Sequence, residues 1–181
     1  MATTLSHPVI QKYPNPIFLE TGTSDGGGVE LALMYPYERI ISIEINSTLQ
    51  DQNRSRLNSF IQSGKLELIT GDSLLCLQDT INKLDKSTTF WLDAHVDHGP
   101  KGVKPCPLYE ELEAIKASPI KNHTILIDDL RILGHHWGAG IALDVLKKKI
   151  LEINPKYEFT REDGIVPNDI LAAVVPQTPQ A

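Results

Sequence analysis

The chain has 181 residues, 41% hydrophobic and 22% charged, a composition that suits one globular domain and leaves little room for two. Its formal charge of −6 argues against a nucleic-acid substrate, because phosphate binding needs a clustered positive surface. The two cysteines, Cys76 and Cys106, are far apart, so neither a disulfide framework nor a cysteine-built zinc site is expected.

In chain order, residues 1–16 lack a basic start followed by an apolar run, and no apolar stretch is long enough to span a bilayer. A cytoplasmic protein without a membrane partner is expected, as one domain over 1–181 with irregular tails at 1–15 and 176–181. Short apolar runs at 17–20, 39–45, 66–70, 88–93 and 124–127 read as strands. Longer amphipathic runs at 29–34, 47–63, 74–84, 107–117 and 141–154 read as the helices between them. Alternation of this kind means parallel pairing, right-handed crossovers and helices on both faces of the sheet. Two further strands, 157–161 and 170–175, are joined by a Gly- and Pro-containing loop without a helix, and should pair antiparallel at one edge.

The loop after the first strand reads Glu20-Thr21-Gly22-Thr23-Ser24-Asp25-Gly26-Gly27-Gly28. In an open parallel sheet this loop lies where ligands bind, and glycine lets a backbone or ligand approach without a β-carbon in the way. A dinucleotide fingerprint needs a glycine where Ser24 stands, and the Glu20 carboxylate would repel a pyrophosphate. A nicotinamide-dependent dehydrogenase is therefore disfavoured, and a cationic or zwitterionic cofactor fits better. Glu44 ends the second strand, where a nucleoside-binding domain places a carboxylate on ribose hydroxyls. Asp72 follows the third, in reach of an adenine amino group, although a lone acid in such a place often caps a helix.

Three motifs, Glu20-x-Gly22-x-x-x-Gly26, Ile41-Ser-Ile-Glu44-Ile-Asn46 and Gly71-Asp72-Ser73, resemble those of class I methyltransferases. The pattern is most similar to small O-methyltransferases of the catechol, caffeoyl-coenzyme A and macrocin types, over residues 16–175. The resemblance implies an α/β Rossmann-like fold, a mostly parallel seven-stranded sheet of order 3-2-1-4-5-7-6. It also implies S-adenosylmethionine, held by Glu20, Gly22, Thr23, Ser24, Gly26, Glu44, Ile45, Asp72, Ser73 and Asp93.

Asp93 closes the fourth strand and Asp128-Asp129 the fifth, so their carboxylates can converge at adjacent strand ends. Three such charges repel unless a cation holds them, and oxygen ligands suit a hard ion such as Mg²⁺. In the metal-dependent members of the family, acids after these two strands bind Mg²⁺, and Asp93, Asp128 and Asp129 match those positions. Successive strand residues face opposite sides, so the pair converges only if the strand has already ended. Otherwise one of them merely caps a helix.

One departure concerns the base. Catechol and caffeoyl types carry a lysine where this chain has Val96. His95 then becomes the candidate general base, with Asp93 beside it, because an unperturbed imidazole titrates near working pH. The cluster His95-Val96-Asp97-His98 equally offers nitrogen ligands for a softer ion such as Zn²⁺ or Fe²⁺. The loop over 97–106 has the composition of a lid, and His135-His136-Trp137-Gly138 follows the fifth strand over the substrate side. The expected function is methylation of a hydroxylated small molecule. The alternative is a cofactor- or partner-binding protein of the same fold without catalysis. Because little chain precedes the first strand, a second subunit could complete the site, and a homodimer is an expectation.

Overall fold

β-Branched and aromatic runs form the strands, and the amphipathic runs between them form the helices. The computed structural model describes residues 4–95, 103–135 and 140–176. A short helix α1 (His7–Lys12) precedes β1 (Ile17–Thr21), α2 (Gly27–Leu33) and β2 (Arg39–Glu44). Next come α3 (Ser47–Arg56), α4 (Asn58–Gln62), β3 (Leu66–Thr70), α5 (Ser73–Ile81) and β4 (Thr88–Leu92). The chain continues through α6 (Leu108–Ala117), β5 (Thr124–Ile127), a single 3-10 turn (Leu130–Ile132) and α7 (Leu143–Ile153). It closes with β6 (Glu158–Glu162) and β7 (Ile170–Val174).

The strands form one sheet of order β3-β2-β1-β4-β5-β7-β6, the order that the resemblance implies. Strands β1 to β5 are parallel, and β7 runs antiparallel to both β5 and β6. Strand alternation splits the core in two. Leu19, Ile41, Phe90 and Ile125 face one cluster, with Leu77 and Ile81 of α5, Leu112 and Ile115 of α6, and Leu146 and Ile150 of α7. Phe18, Ile40, Trp91 and Leu126 face the other, with Val9 and Ile10 of α1, and Val29 and Ala32 of α2. Each such buried side chain contributes about 1.5–3 kcal/mol of transfer free energy. Crossover directions then bring the ends of β1, β2, β4 and β5 to one edge of the sheet, where the candidate site lies.

Two expectations change. The helix expected over 47–63 is two helices, because Leu57 leaves helical geometry (φ −103°, ψ 17°) to bury its side chain in the second core. The stretch expected to be an irregular tail at 1–15 contains α1, started by Pro8 at a position where a missing N–H costs nothing. This stretch is fastened across the sheet. Thr89 Oγ1 donates to the Tyr13 carbonyl at 2.7 Å, and Asn15 Nδ2 donates to the Thr89 and Thr124 hydroxyls at 3.0 Å each. The Tyr13 hydroxyl donates to the Glu162 carboxylate on β6. Among the described residues, no helix is long and apolar enough to cross a membrane.

Candidate active site

The loop leaving β1 turns sharply because three residues take left-handed backbone: Gly22 (φ 87°), Ser24 (φ 49°) and Gly26 (φ 87°). At Gly22 a β-carbon would overlap the Asp93 carbonyl oxygen, so the glycine lets the β1 and β4 loops touch. At Gly26 it would press on the Asn53 and Arg56 side chains. In the structure the chain itself, rather than a ligand, fills both places. Ser24 takes the left-handed conformation without being glycine, at a cost of about 1–2 kcal/mol. It is held there by Glu44 Oε2, which accepts from Ser24 N at 2.7 Å, and by Asn53 Nδ2, which donates to the Ser24 carbonyl at 3.0 Å.

The acids that follow the strands behave differently from one another. Glu20 is 2% exposed and accepts from Ser42 Oγ at 2.6 Å. Ser42 in turn shares a 2.6 Å hydrogen bond with the Thr23 hydroxyl, to which Gln50 Nε2 donates at 3.3 Å. Burial pushes the Glu20 pKa up to about 8 against the Ser42 donation, so this carboxyl is largely neutral at pH 7. That corrects the expectation of a fixed charge repelling pyrophosphate. Glu44 uses one lone pair of each oxygen on the chain, on Ser24 N and on Asn46 N at 2.8 Å. A carboxylate has about four acceptor sites, so capacity for ribose hydroxyls remains. Gly71 N donates to the Glu44 carbonyl at 2.8 Å, which sets the Asp72 loop beside it. Asp72 caps α5 by accepting from Leu74 N at 3.0 Å, Ser73 is buried behind it, and Ile45 is half-buried alongside.

At the ends of β4 and β5 the strands have indeed ended. Strand β5 stops at Ile127, and Asp129 takes left-handed backbone (φ 55°), so Asp128 and Asp129 no longer alternate. His95 stands between two acids, with Nε2 2.8 Å from Asp129 Oδ2 and Nδ1 3.3 Å from Asp93 Oδ1. Arg131 pairs with both Asp129 and Asp169, and its backbone N–H donates to Asp169 Oδ1 at 2.8 Å. Burial works against ionisation of Asp129, but His95 and Arg131 outweigh it and hold the pKa below the ordinary carboxylate value. Asp128 is pushed up to about 7, by burial first and then by the charge of Asp129. Asp93 is also raised, by burial and then by Asp128 and Asp129. One neighbour is kept anionic and the other near neutrality, the kind of split that separates acid from base roles.

Ligand atoms lie within 4.8 Å of one another in two groups among the described residues: Asp93, His95 and Asp129, and Asp128, Asp129 and Asp169. The expected triad is thus spread over two groups that share Asp129. The donors fit a divalent cation, and Asp128 Oδ1 is buried without a hydrogen-bond partner among the described residues. Asp93, His95, Asp128 and Asp129 line a small, solvent-open cleft. Val96, Asp97 and His98, most of the expected lid, and His136, Trp137 and Gly138 lie outside the described residues.

Asn53, Asp169 and Glu111, which lines the cleft, are site residues that the sequence motifs do not mark. Glu111 left a trace, because it sits on the apolar stripe Leu108–Leu112–Ile115 of α6. Gln50 and Asn53 left another, as polar residues on the inner face of α3.

No family model and no curated protein matches the chain. Solved structures do match. A Podospora anserina methyltransferase bound to S-adenosylhomocysteine (SAH) superposes with a TM-score of 0.66 at 16% identity, over 90% of this chain and 73% of that one. The chain has the Rossmann-like methyltransferase fold. An O-methyltransferase from Bacillus cereus in complex with SAH gives 0.60 at 18% identity, over 90% and 74%. Spermidine synthase from Thermotoga maritima also gives 0.60, at 15% identity, over 92% of this chain and 56% of that one. The methyltransferase fold is therefore common to proteins named for different reactions, and the activity has to be argued from the site.

Proposed function

We propose that the protein transfers a methyl group from S-adenosylmethionine to a hydroxyl oxygen of a small molecule, assisted by a divalent cation at the Asp93–Asp129 cluster. The observation that carries this reading is the placement of His95 between Asp93 and Asp129, in a cleft whose edge touches the cofactor loop at Gly22. Bound there, a divalent cation lowers the pKa of the acceptor hydroxyl, and the sulfonium of the cofactor supplies the methyl.

The residues divide the remaining work. The Gly22–Gly26 turn, with Glu44 and Asp72, forms the cofactor side, where Glu44 offers its spare acceptor sites to ribose. Asp129, kept anionic by His95 and Arg131, orients the imidazole. His95 takes the proton of the acceptor hydroxyl as the methyl passes from sulfur to oxygen, and positioning of the two reactants supplies much of the acceleration. If His95 instead serves as a ligand beside Asp93 and Asp129, the set of two carboxylates and one imidazole would suit Mn²⁺, Fe²⁺ or Zn²⁺ as well as Mg²⁺, and the imidazole would then not be the base.

Transfer of labelled methyl from S-adenosylmethionine to a panel of dihydroxylated aromatic acceptors tests the reading. Transfer that is lost with a chelator and restored by Mg²⁺ or Mn²⁺ supports it. Binding of S-adenosylmethionine with no transfer to any acceptor favours the second reading, a non-catalytic cofactor-binding protein, in which His95 and Arg131 serve to hold Asp129 closed. Binding of NAD without S-adenosylmethionine removes both.

A further inference from the structure

Two groups of acids share Asp129, and they differ in what already stands among them. In the first, Asp93 and Asp129 flank the His95 imidazole. In the second, Asp128, Asp129 and Asp169 bring ligand oxygens within 4.8 Å of one another, and all three residues are buried. Oδ1 of Asp128 has no hydrogen-bond partner among the described residues. Carboxylates this close repel one another, and buried negative charge needs a positive partner.

The second group takes that partner from its own chain. The Arg131 guanidinium pairs through Nη1 with both Asp129 Oδ1 and Asp169 Oδ2, and Arg131 N donates to Asp169 Oδ1 at 2.8 Å. One residue thus engages both oxygens of Asp169. Leu130 N donates to the Asp169 carbonyl at 2.9 Å, which ties the 3-10 turn to the start of β7. Asp129 divides its oxygens between the two groups, with Oδ2 towards His95 and Oδ1 towards Arg131. A guanidinium keeps its charge at any working pH, whereas an imidazole can give its proton up. A divalent ion among Asp128, Asp129 and Asp169 would therefore meet a fixed positive charge, which the His95 side of Asp129 does not present.

We propose that Arg131 is a built-in counter-cation that closes the Asp128–Asp129–Asp169 group to divalent ions, so that removing the guanidinium opens a cation site there. The inference goes beyond the methyl-transfer reading, which places its cation on the Asp93–Asp129 side.

Titration with Mn²⁺, followed by electron paramagnetic resonance, counts the ions bound. The wild type should bind one per chain and Arg131→Gln two. Because both groups share Asp129, the two ions should be spin-coupled and lose the resolved hyperfine signal of an isolated ion; an adventitious surface ion would keep it. The double variant Arg131→Gln/Asp169→Ala should return to one ion. Arg131→Gln leaves the acids without their partner, so it should melt below the wild type in the absence of metal and recover in excess Mn²⁺. A variant that folds only with Mn²⁺ supports the inference in the same way. Two ions on the wild type, no added ion on Arg131→Gln, an added ion without coupling, or a second ion retained by the double variant overturns it. One ion on Arg131→Gln and none on the wild type would support it and remove the cation from the methyl-transfer reading. Metal-dependent methyl transfer with equal ion counts for the two proteins would do the reverse.

Discussion

The Thr4 hydroxyl donates a hydrogen bond to Oδ2 of Asp128, joining residues 124 positions apart in the chain. The segment ahead of β1 thus runs from the sheet's far edge, where Tyr13 is fastened, to the acid cluster itself.

Thr4→Val should leave an acceptor of the buried Asp128 without its donor and destabilise the fold by about 1–3 kcal/mol in urea denaturation. Methyl transfer should fall as well, because Asp128 loses its fixed orientation. Thr4→Ser keeps the hydroxyl and should restore both. Equal stability of the valine and serine variants would show that the hydrogen bond contributes nothing.

Gly22→Ala should be among the costliest single changes in the cofactor loop. The left-handed backbone at φ 87° costs about 1–2 kcal/mol for a residue with a β-carbon. The methyl also meets the Asp93 carbonyl, so the β1 and β4 loops must separate. A lower melting temperature and a loss of SAH affinity are expected together. Normal SAH affinity in this variant would mean that the touching loops do not shape the cofactor site.

His95→Ala should lower kcat by about 10²–10⁴-fold if the imidazole takes the acceptor proton. The same change releases Asp93 and Asp129 from their common partner, so the affinity for Mn²⁺, followed by electron paramagnetic resonance, should change too. Partial recovery of rate with added imidazole would separate proton transfer from ion holding. A fully active His95→Ala enzyme would remove His95 from the chemistry.

Stability should depend on pH through buried groups of opposite sense, with Glu20 beside the raised Asp93 and Asp128 on one side and His123 on the other. The folded state keeps the Glu20 proton up to about pH 8, whereas the unfolded chain releases it near the ordinary 4.5. Stability from this group is full below 4.5 and falls as pH rises towards 8, by at most about 1.4 kcal/mol per unit. His123 is buried between Thr88 N and Ser118 Oγ, and burial lowers its pKa to about 4 from 6.5. Its contribution is full above 6.5 and falls as pH drops towards 4. Denaturation at stepped pH should show Glu20→Gln flattening the alkaline decline of the ligand-free protein. A variant that declines as steeply as the wild type would place the titration elsewhere.

The amino-acid order alone determined the alternation of strands and helices, and with it the succession of acids beyond the strands. Those signals are local. A run such as Thr124–Ile127 is apolar because it is buried on both faces, and whatever follows such a run lies at the edge where parallel strands end. Glu44, Asp72, Asp93, Asp128 and Asp129 were legible for that reason, and the antiparallel pairing of β6 and β7 for the lack of a helix between them.

Tertiary structure decided what each acid does. Glu20 became largely neutral because the packing around it excludes water and outweighs the hydrogen bond from Ser42, and no periodicity encodes that. Ser24 can stand where a dinucleotide fingerprint carries a glycine because Glu44 and Asn53 reach it from other elements. Asp128 and Asp129 converge because the strand stops at Ile127, and they divide because burial and the charge of Asp129 raise the pKa of the first while His95 and Arg131 lower that of the second. Burial and long-range contact set the charge of a carboxylate, and both arise only once the chain has packed.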